Sequence, residues 1–230
     1  MRKLVIIPTY NELENIQVLL PALMQLNESF DVLVVDDSSP DKTADFVSEF
    51  AKENSRVHLL LRKQKNGLGQ AYIAGFKWAL QNNYDAIIEM DADFSHRPED
   101  LVKILQALNT EDVVIGSRYV PGGQTVNWGL IRKMISRGGG IYSRMILGYP
   151  VQDWTGGFNG WNAQVLKDIG LDTIRSNGYS FQIELKYKAQ KHGYKVKEVP
   201  IVFEDRRVGQ SKMSLKIVLE AFYKVWLIRY

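Results

Sequence analysis

Glu89-Met90-Asp91-Ala92-Asp93-Phe94-Ser95-His96 is the stretch from which the fold of this chain can be read. Ahead of it, Tyr84-Asp85-Ala86-Ile87-Ile88 is apolar enough for a buried strand. Behind it, Arg97 precedes Pro98-Glu99-Asp100, which predicts a helix with proline in its first turn and acids near the positive end of its dipole. Two carboxylates one residue apart therefore sit where a strand leaves a sheet. Residues i and i+2 of an extended segment point the same way, so Asp91 and Asp93 can both reach one hard cation through oxygen. A cation held by two carboxylates keeps positions open for a diphosphate. The same spacing also serves as a plain helix cap, and the stretch by itself leaves both readings open.

Outward from this stretch, strand and helix alternate. Leu4–Ile7 predicts a strand, and a helix follows over about Glu12 to Leu26 with Asn11 as its cap. Val32–Val35 predicts a second strand, Thr43–Glu53 a helix, Val57–Leu61 a strand and Gly69–Gln81 a helix. After the strand before Asp91 come a helix over Pro98–Leu108 and a strand over Asp112–Gly116. Repeated β-α-β units with apolar strands imply a mostly parallel sheet covered on both faces, with ligands at the carboxyl ends of the strands. Those ends deliver Pro8-Thr9-Tyr10-Asn11-Glu12, Asp36-Asp37-Ser38, Asp91-Ala92-Asp93 and Ser117-Arg118-Tyr119 to one edge. Neither a Gly-x-Gly-x-x-Gly nor a Gly-Lys-Ser/Thr motif is present, so no dinucleotide fold or P-loop is indicated. Lys65-Asn66-Gly67-Leu68-Gly69 reads as a turn.

The second half is less regular. Gly129–Leu147 holds one or two helices, Asp153–Phe158 reads as a tight turn, Ser180–His192 as a helix and Val196–Glu204 as a strand. A polar loop through Lys212 precedes a final helix from Leu215. The expectation is a single domain, residues 1–120 carrying the clustered carboxylates and residues 121–230 completing the sheet and adding a second surface.

Composition narrows the class. The 230 residues with 45% hydrophobic content suit one large α/β domain, and a net charge of +3 does not argue for nucleic acid. With no cysteine, disulfides and thiolate metal sites are excluded, which fits a cytosolic protein. The apolar start is too short for a signal peptide, and no apolar run is long enough to span a bilayer. His58 and His192 have no convergent partners in the sequence, and His96 reads as a loop residue.

Taken together, Pro8–Glu12, Asp36–Asp41 and Asp91–Asp93 resemble the inverting family-2 glycosyltransferases of the GT-A fold, a Rossmann-like α/β architecture. Gly116–Tyr119, Arg132–Gly138, Gly178–Glu184 and Glu198–Phe203 through Lys212 are similar to the dolichyl-phosphate (polyprenyl-phosphate) mannose synthases, and the likeness covers nearly the whole chain in order. The resemblance implies transfer of mannose from GDP-mannose to a polyprenyl or dolichyl phosphate, with UDP-glucose as the alternative donor and a non-catalytic sugar-nucleotide-binding protein as the remote one. It implies that Pro8, Tyr10, Glu12, Val35 and Asp37 hold the nucleoside, and that Asp91, Ala92 and Asp93 line the diphosphate and its Mg²⁺ or Mn²⁺. Arg118, Arg206 and Lys212 would surround the phosphates, and Arg132 and Ser136 would bind the acceptor phosphate. Two positions depart from the pattern: Ser95 stands where some relatives place a glutamine ligand, and Asn159 where many carry a basic residue.

The chemistry is consistent with these residue types. A phosphate acceptor is already anionic, so it needs cationic positioning rather than a general base. Arg118, Arg132, Arg206 and Lys212 are suited to that role, and a metal to the leaving diphosphate. Arg132 and Ser136 are four apart on a predicted helix and share a face. Arg132, Lys133, Arg137 and Arg144 lie among Ile131, Met134, Ile141 and Met145, a mixture suited to an anionic membrane surface. The final helix carries Lys216, Glu220 and Lys224 as a polar stripe amid apolar bulk. Two helices packed on each other give the same pattern. Some relatives continue into membrane segments; for a chain ending at Tyr230 the resemblance implies peripheral docking on the cytosolic face, a small membrane-anchoring subunit or a shortened chain.

Overall fold

A computed structural model describes residues 1–205 and 215–230, and side chains outside residues 206–221. Arg206 and Lys212 lie outside the described residues. The strands are β1 (Lys3–Thr9), β2 (Asp31–Asp36), β3 (Val57–Leu61), β4 (Ala86–Glu89), β5 (Val113–Ser117), β6 (Gln124–Thr125), β7 (Asn159–Asn162), β8 (Val196–Pro200) and β9 (Val202–Phe203). The helices are α1 (Leu13–Met24), α2 (Thr43–Glu53), α3 (Leu68–Gln81), α4 (Pro98–Ala107), α5 (Leu130–Leu147), α6 (Ala163–Asp168), α7 (Tyr179–Lys191) and α8 (Leu215–Arg229).

Seven strands form one sheet in the order β3-β2-β1-β4-β7-β5-β8, and β6 and β9 make a separate pair. Within β1 the side-chain alternation feeds both faces. Leu4 and Ile6 pack with Tyr72 and Phe76 of α3 and Phe181 of α7, while Val5 and Ile7 pack with Ile16 and Leu19 of α1 and Leu101 of α4. Burial on both faces explains why this strand reads as an unbroken apolar run. The chain order reverses between β1 and β4, so the loops after β1, β2 and β4 are neighbours at a switch point of the sheet.

At three points the structure departs from or adds to these expectations. First, Asn11 does not cap α1. It adopts φ +57°, and the N–H groups at the helix start are satisfied by the end of the β2–α2 loop and the first residue of α2: Leu13 N donates to Asp41 Oδ2 (3.0 Å) and Glu12 N, just ahead of the helix, to Thr43 Oγ1 (3.2 Å). Second, the predicted turn over Asp153–Phe158 leads into a strand. β7 inserts antiparallel between β4 and β5, pairing Trp161 with Ile87 and Val113. Its sequence Asn-Gly-Trp-Asn has little strand propensity, and the strand exists because it fills a gap. A Cβ on Gly160 would lie 2.6 Å from Leu108 Cδ1, so α4 packs straight onto this backbone. Third, the predicted strand Val196–Glu204 is two strands. Pro200 has no N–H to continue the ladder, β8 ends there, and β9 joins β6 instead.

The segment Gly129–Leu147 forms one helix, α5. It packs against α8: the Tyr142 and Phe222 rings are 4.3 Å apart, and Trp226 Nε1 donates to Tyr142 Oη (2.7 Å). Among the described residues no helix is long and apolar enough to cross a membrane.

Candidate active site

At the end of β1 and β2 the adjacent Asp36 and Asp37 have separate jobs. Asp36 is fully buried and ties the two loops together, accepting Thr9 Oγ1 (2.8 Å), Ser39 Oγ (2.6 Å) and Ser39 N (2.9 Å). Asp37 turns to Arg62 at the end of β3, whose Nη1 donates to Oδ1 at 2.7 Å. Burial raises the Asp37 carboxyl above its usual range, with Arg62 pulling against it. Pro8 and Val35 are register partners across β1 and β2. Tyr10 is half-exposed, with the Lys65 ammonium 3.6 Å from its ring centroid. The Glu12 carboxylate accepts Asn15 Nδ2 (2.7 Å). These residues line one corner of the edge. Arg62 and Lys65 were not singled out by sequence, although each directly follows or approaches the end of a strand.

One strand over, the β4 exit is bent rather than extended. Phe94 sits at φ +61°, an unusual conformation for a bulky residue and one found where loops are shaped for function. The bend is pinned on both sides of its carboxylates. Asp91 N donates to His96 Nδ1 (3.0 Å), Tyr72 Oη donates to Asp91 Oδ1 (3.1 Å), and Ser95 N donates to Asp93 Oδ1 (3.0 Å). Burial, helped by Asp91 and Glu89, keeps the Tyr72 hydroxyl protonated. Burial also lowers the pKa of His96, whose ring stacks on Phe158 at 4.6 Å; a neutral imidazole is the form able to accept the Asp91 N–H. Ala92 is buried between the two acids.

This oxygen set fits a hard divalent cation. Ser95 Oγ is buried with no hydrogen-bond partner among the described residues, which suits a position that a ligand completes. No group of three or more His, Cys, Asp or Glu able to hold a metal occurs among the described residues, so further oxygens would come from a diphosphate, water or the Ser95 hydroxyl.

The opposite part of the edge is built from ion pairs. Because β7 is antiparallel, the segment before it arrives beside the ends of β4 and β5. Asp153 in that segment takes Arg118 Nε (2.7 Å) and Nη2 (2.6 Å) and the Arg118 backbone N–H (3.0 Å). Both side chains are buried. Burial alone would raise Asp153; the Arg118 guanidinium outweighs it and holds the carboxyl down to about 2. The Arg118 fork faces Asp153, and its Nη2 also donates to Thr155 Oγ1 (2.9 Å). Lys186, fully buried on α7, donates to the carbonyls of Asp153 (2.9 Å), Trp154 (3.2 Å) and Gly156 (2.8 Å). Glu89, just before the bend, accepts Trp161 Nε1 (2.7 Å) and Gln182 Nε2 (2.6 Å). Burial pushes Glu89 up and Lys186 down. Asn159 joins the same network through Gln182 Oε1 (2.8 Å) and is buried away from solvent.

On α5, Arg132 Nη1 pairs with Asp205 Oδ1 (2.8 Å), and Ser136 Oγ accepts Tyr119 Oη (2.6 Å). Trp128 lies beneath the Arg132 guanidinium, 3.9 Å from ring centroid to Cζ. A cavity of about 470 Å³ opens along the helix between Tyr119, Arg137, Ile141, Arg144 and Gln152. The structure therefore gathers Pro8, Tyr10, Glu12, Val35 and Asp37 by one group of strand ends, Asp91–Asp93 by the next, and Arg132 with Ser136 by α5. Sequence reading missed Tyr72, Trp128 and Lys186. Lys186 had one visible signal: α7 has no clean apolar stripe, and a mixed helix of this kind is buried with its polar groups paired.

Comparison with known proteins agrees with this architecture. Residues 4–170 match the family described as Glycosyl transferase family 2. The chain is 50% identical to an undecaprenyl-phosphate mannosyltransferase from Micrococcus luteus, over 98% of this chain and 93% of that one. It is 45% identical to a polyprenol monophosphomannose synthase from Mycolicibacterium smegmatis, over 99% and 88%. Among solved structures, glucosyl-3-phosphoglycerate synthase from Mycobacterium tuberculosis, with Mn²⁺, UDP and glucosyl-3-phosphoglycerate, superposes with a TM-score of 0.69 at 16% identity, covering 99% of this chain and 78% of that one. A mannosyltransferase from Pyrobaculum calidifontis, solved with GDP-Man and Mn²⁺, gives a TM-score of 0.61 at 16% identity, covering 99% and 72%. These likenesses to solved structures speak for the fold, and the near full-length relatives speak for the lineage. The chain belongs to glycosyltransferase family 2, on a GT-A fold.

Proposed function

We propose that this chain transfers mannose from GDP-mannose to the phosphate of a polyprenol, giving a polyprenyl β-mannosyl phosphate. The observation that carries the reading is the division of charge along one sheet edge. Carboxylates fixed by hydroxyls and backbone N–H groups stand at the ends of β2 and β4, and arginines stand beyond β7. The names of the two near full-length relatives supply the donor sugar and the acceptor class.

Pro8, Tyr10, Glu12, Val35 and Asp37 would hold the nucleoside, and Asp91 and Asp93 a divalent cation against the diphosphate. When bound, such a cation neutralises the charge that collects on the leaving group. The acceptor phosphate needs no general base. One of its oxygens attacks C1 of the sugar from the side opposite GDP, the bond from C1 to the diphosphate oxygen breaks, and the α-linked donor gives a β-linked product. Arg132 and Ser136 position the attacking phosphate. Ser136 already accepts the Tyr119 proton, so its own O–H is available to donate. Arg118, Arg206 and Lys212 would surround the phosphates, and the pair of Arg118 with Asp153 fixes the floor of this corner.

The lipid acceptor calls for a membrane surface. Leu130, Ile131, Met134, Ile141 and Met145 on α5 are 56–78% exposed, and all but Ile131 follow the helical repeat closely as one stripe. Lys133, Arg137 and Arg144 run beside it. Each cation near an anionic leaflet contributes about 1 kcal/mol, which favours peripheral docking of α5 on the leaflet carrying the acceptor.

The test is a thin-layer assay with purified protein, undecaprenyl phosphate in detergent, and GDP-mannose or UDP-glucose carrying labelled sugar. Labelled mannose in the lipid product, with β configuration, is expected. Transfer of glucose instead, or an α-linked product, would remove the donor assignment or the displacement mechanism respectively.

A further inference from the structure

Beside the acceptor corner two buried N–H donors have no hydrogen-bond partner among the described residues, Nε1 of Trp128 and Nε of Arg132. A buried donor left unpaired is destabilising, and such groups persist where a ligand completes them. The two belong to touching side chains. Trp128 is 8% exposed, and the Arg132 guanidinium carbon lies over its ring, 3.9 Å from the centroid. The Arg118 guanidinium stands 5.4 Å from the same ring, and Phe203 meets it edge-on at 5.3 Å. An indole with two guanidiniums near its ring gives up much of its electron-rich face to them, and its N–H lies along the ring edge. Trp154 also has an unpaired indole N–H, but that ring belongs to the hydrophobic core and touches no such cation pair.

We infer that Trp128 is a ligand and positioning residue for the acceptor phosphate: its ring face holds Arg132 in place, and its N–H donates to a phosphate oxygen alongside Arg132 Nε. The ligand class is a phosphate monoester, whose oxygens take a neutral and a charged donor together. This inference rests on the reading of Arg132 and Ser136 as the acceptor corner. It gives that corner a donor that carries no charge, so part of its affinity does not depend on salt.

The experiment varies undecaprenyl phosphate in detergent at saturating GDP-mannose and Mn²⁺, using the full chain and three variants. Trp128→Phe keeps a ring beneath Arg132 and removes the N–H. Its acceptor KM should rise about tenfold, the size expected for a lost hydrogen bond to a charged group, with the KM for GDP-mannose unchanged. Trp128→Leu removes ring and N–H and should raise the acceptor KM about a hundredfold; should it not fold, the Phe variant carries the test. Arg132→Ala reports on the corner itself. An acceptor KM for Trp128→Phe equal to wild type, while Arg132→Ala still raises it, overturns the Trp128 assignment and leaves the acceptor corner standing. An unchanged KM in Arg132→Ala as well shows that the corner is misplaced, and both readings fall.

Discussion

The donor and acceptor parts of the sheet edge are held together by different physics. Around Asp36, Asp91 and Asp93 the carboxylates take neutral donors: serine and threonine hydroxyls, a tyrosine and backbone N–H groups. These contacts orient the carboxylates, while the neighbouring Asp37 is paired with Arg62. Around Asp153 the carboxylate is cancelled by Arg118, and Lys186 is spread over three carbonyls. A carboxylate removed from the first region takes away a charge that the chemistry needs. A partner removed from the second leaves a buried charge that the fold does not tolerate. Two arginines that read alike in the sequence differ in burial: the Arg118 pair with Asp153 is closed off from solvent, and the Arg132 pair with Asp205 is open to it.

The sharpest break between the regions is expected at Asp93. Asp93→Ala should lower transfer by roughly a thousandfold, comparable to loss of a main electrostatic stabiliser of a leaving group, while the urea midpoint stays close to wild type. Parallel activity and unfolding measurements check this, and a large loss of stability would erase the distinction drawn above. Next in size, Arg118→Met should destabilise the fold by about 3–5 kcal/mol, because Asp153 is left buried and unpaired. Combining it with Asp153→Leu should restore part of that loss; urea unfolding of the single and double variants decides.

The same ion pair has a pH signature. Asp153 is held at about 2, below the usual aspartate value. Its stabilisation is thus fully present above pH ~4 and is lost as the pH falls toward 2. Urea midpoints taken between pH 4 and 2 should fall more steeply in wild type than in the Arg118→Met variant.

At the small end, Gly138-Gly139-Gly140 separates two faces of α5. A Cβ on Gly139 meets nothing within 4 Å, whereas one on Gly140 would lie 2.9 Å from Gln152 O. Gly139→Ala should add about 0.5–1 kcal/mol, a rise of a few degrees in Tm, and Gly140→Ala should not. A stabilising Gly140→Ala would show that the loop before Asp153 yields more easily than its hydrogen bonds imply.

How much of this was legible in the sequence follows the same division. The first half was readable because its strands are apolar on both faces and its helices carry ordinary start signals, as at Pro98-Glu99-Asp100. The Asp91–Asp93 bend could be placed because it follows such a strand. The strand β7 was not readable. Asn159-Gly160-Trp161-Asn162 is a strand by virtue of the space between β4 and β5, and no local preference marks it. The job of Arg118 was hidden for the same reason, since its partner arrives only when β7 brings Asp153 to the edge. Likewise the start of α1 is tied to Asp41 and Thr43, 28 and 31 residues further on, invisible to a reading that looks for caps within a few residues.

The most direct measurement is mannose transfer from GDP-mannose to undecaprenyl phosphate by wild type and by Asp93→Asn, after chelation with EDTA and again after adding Mn²⁺. The two-aspartate bend predicts that wild-type transfer is lost with EDTA and restored by Mn²⁺, and that the variant stays at least a hundredfold below the Mn²⁺-restored wild type in either condition. Transfer by Asp93→Asn at the wild-type rate, or wild-type transfer indifferent to EDTA, would contradict it.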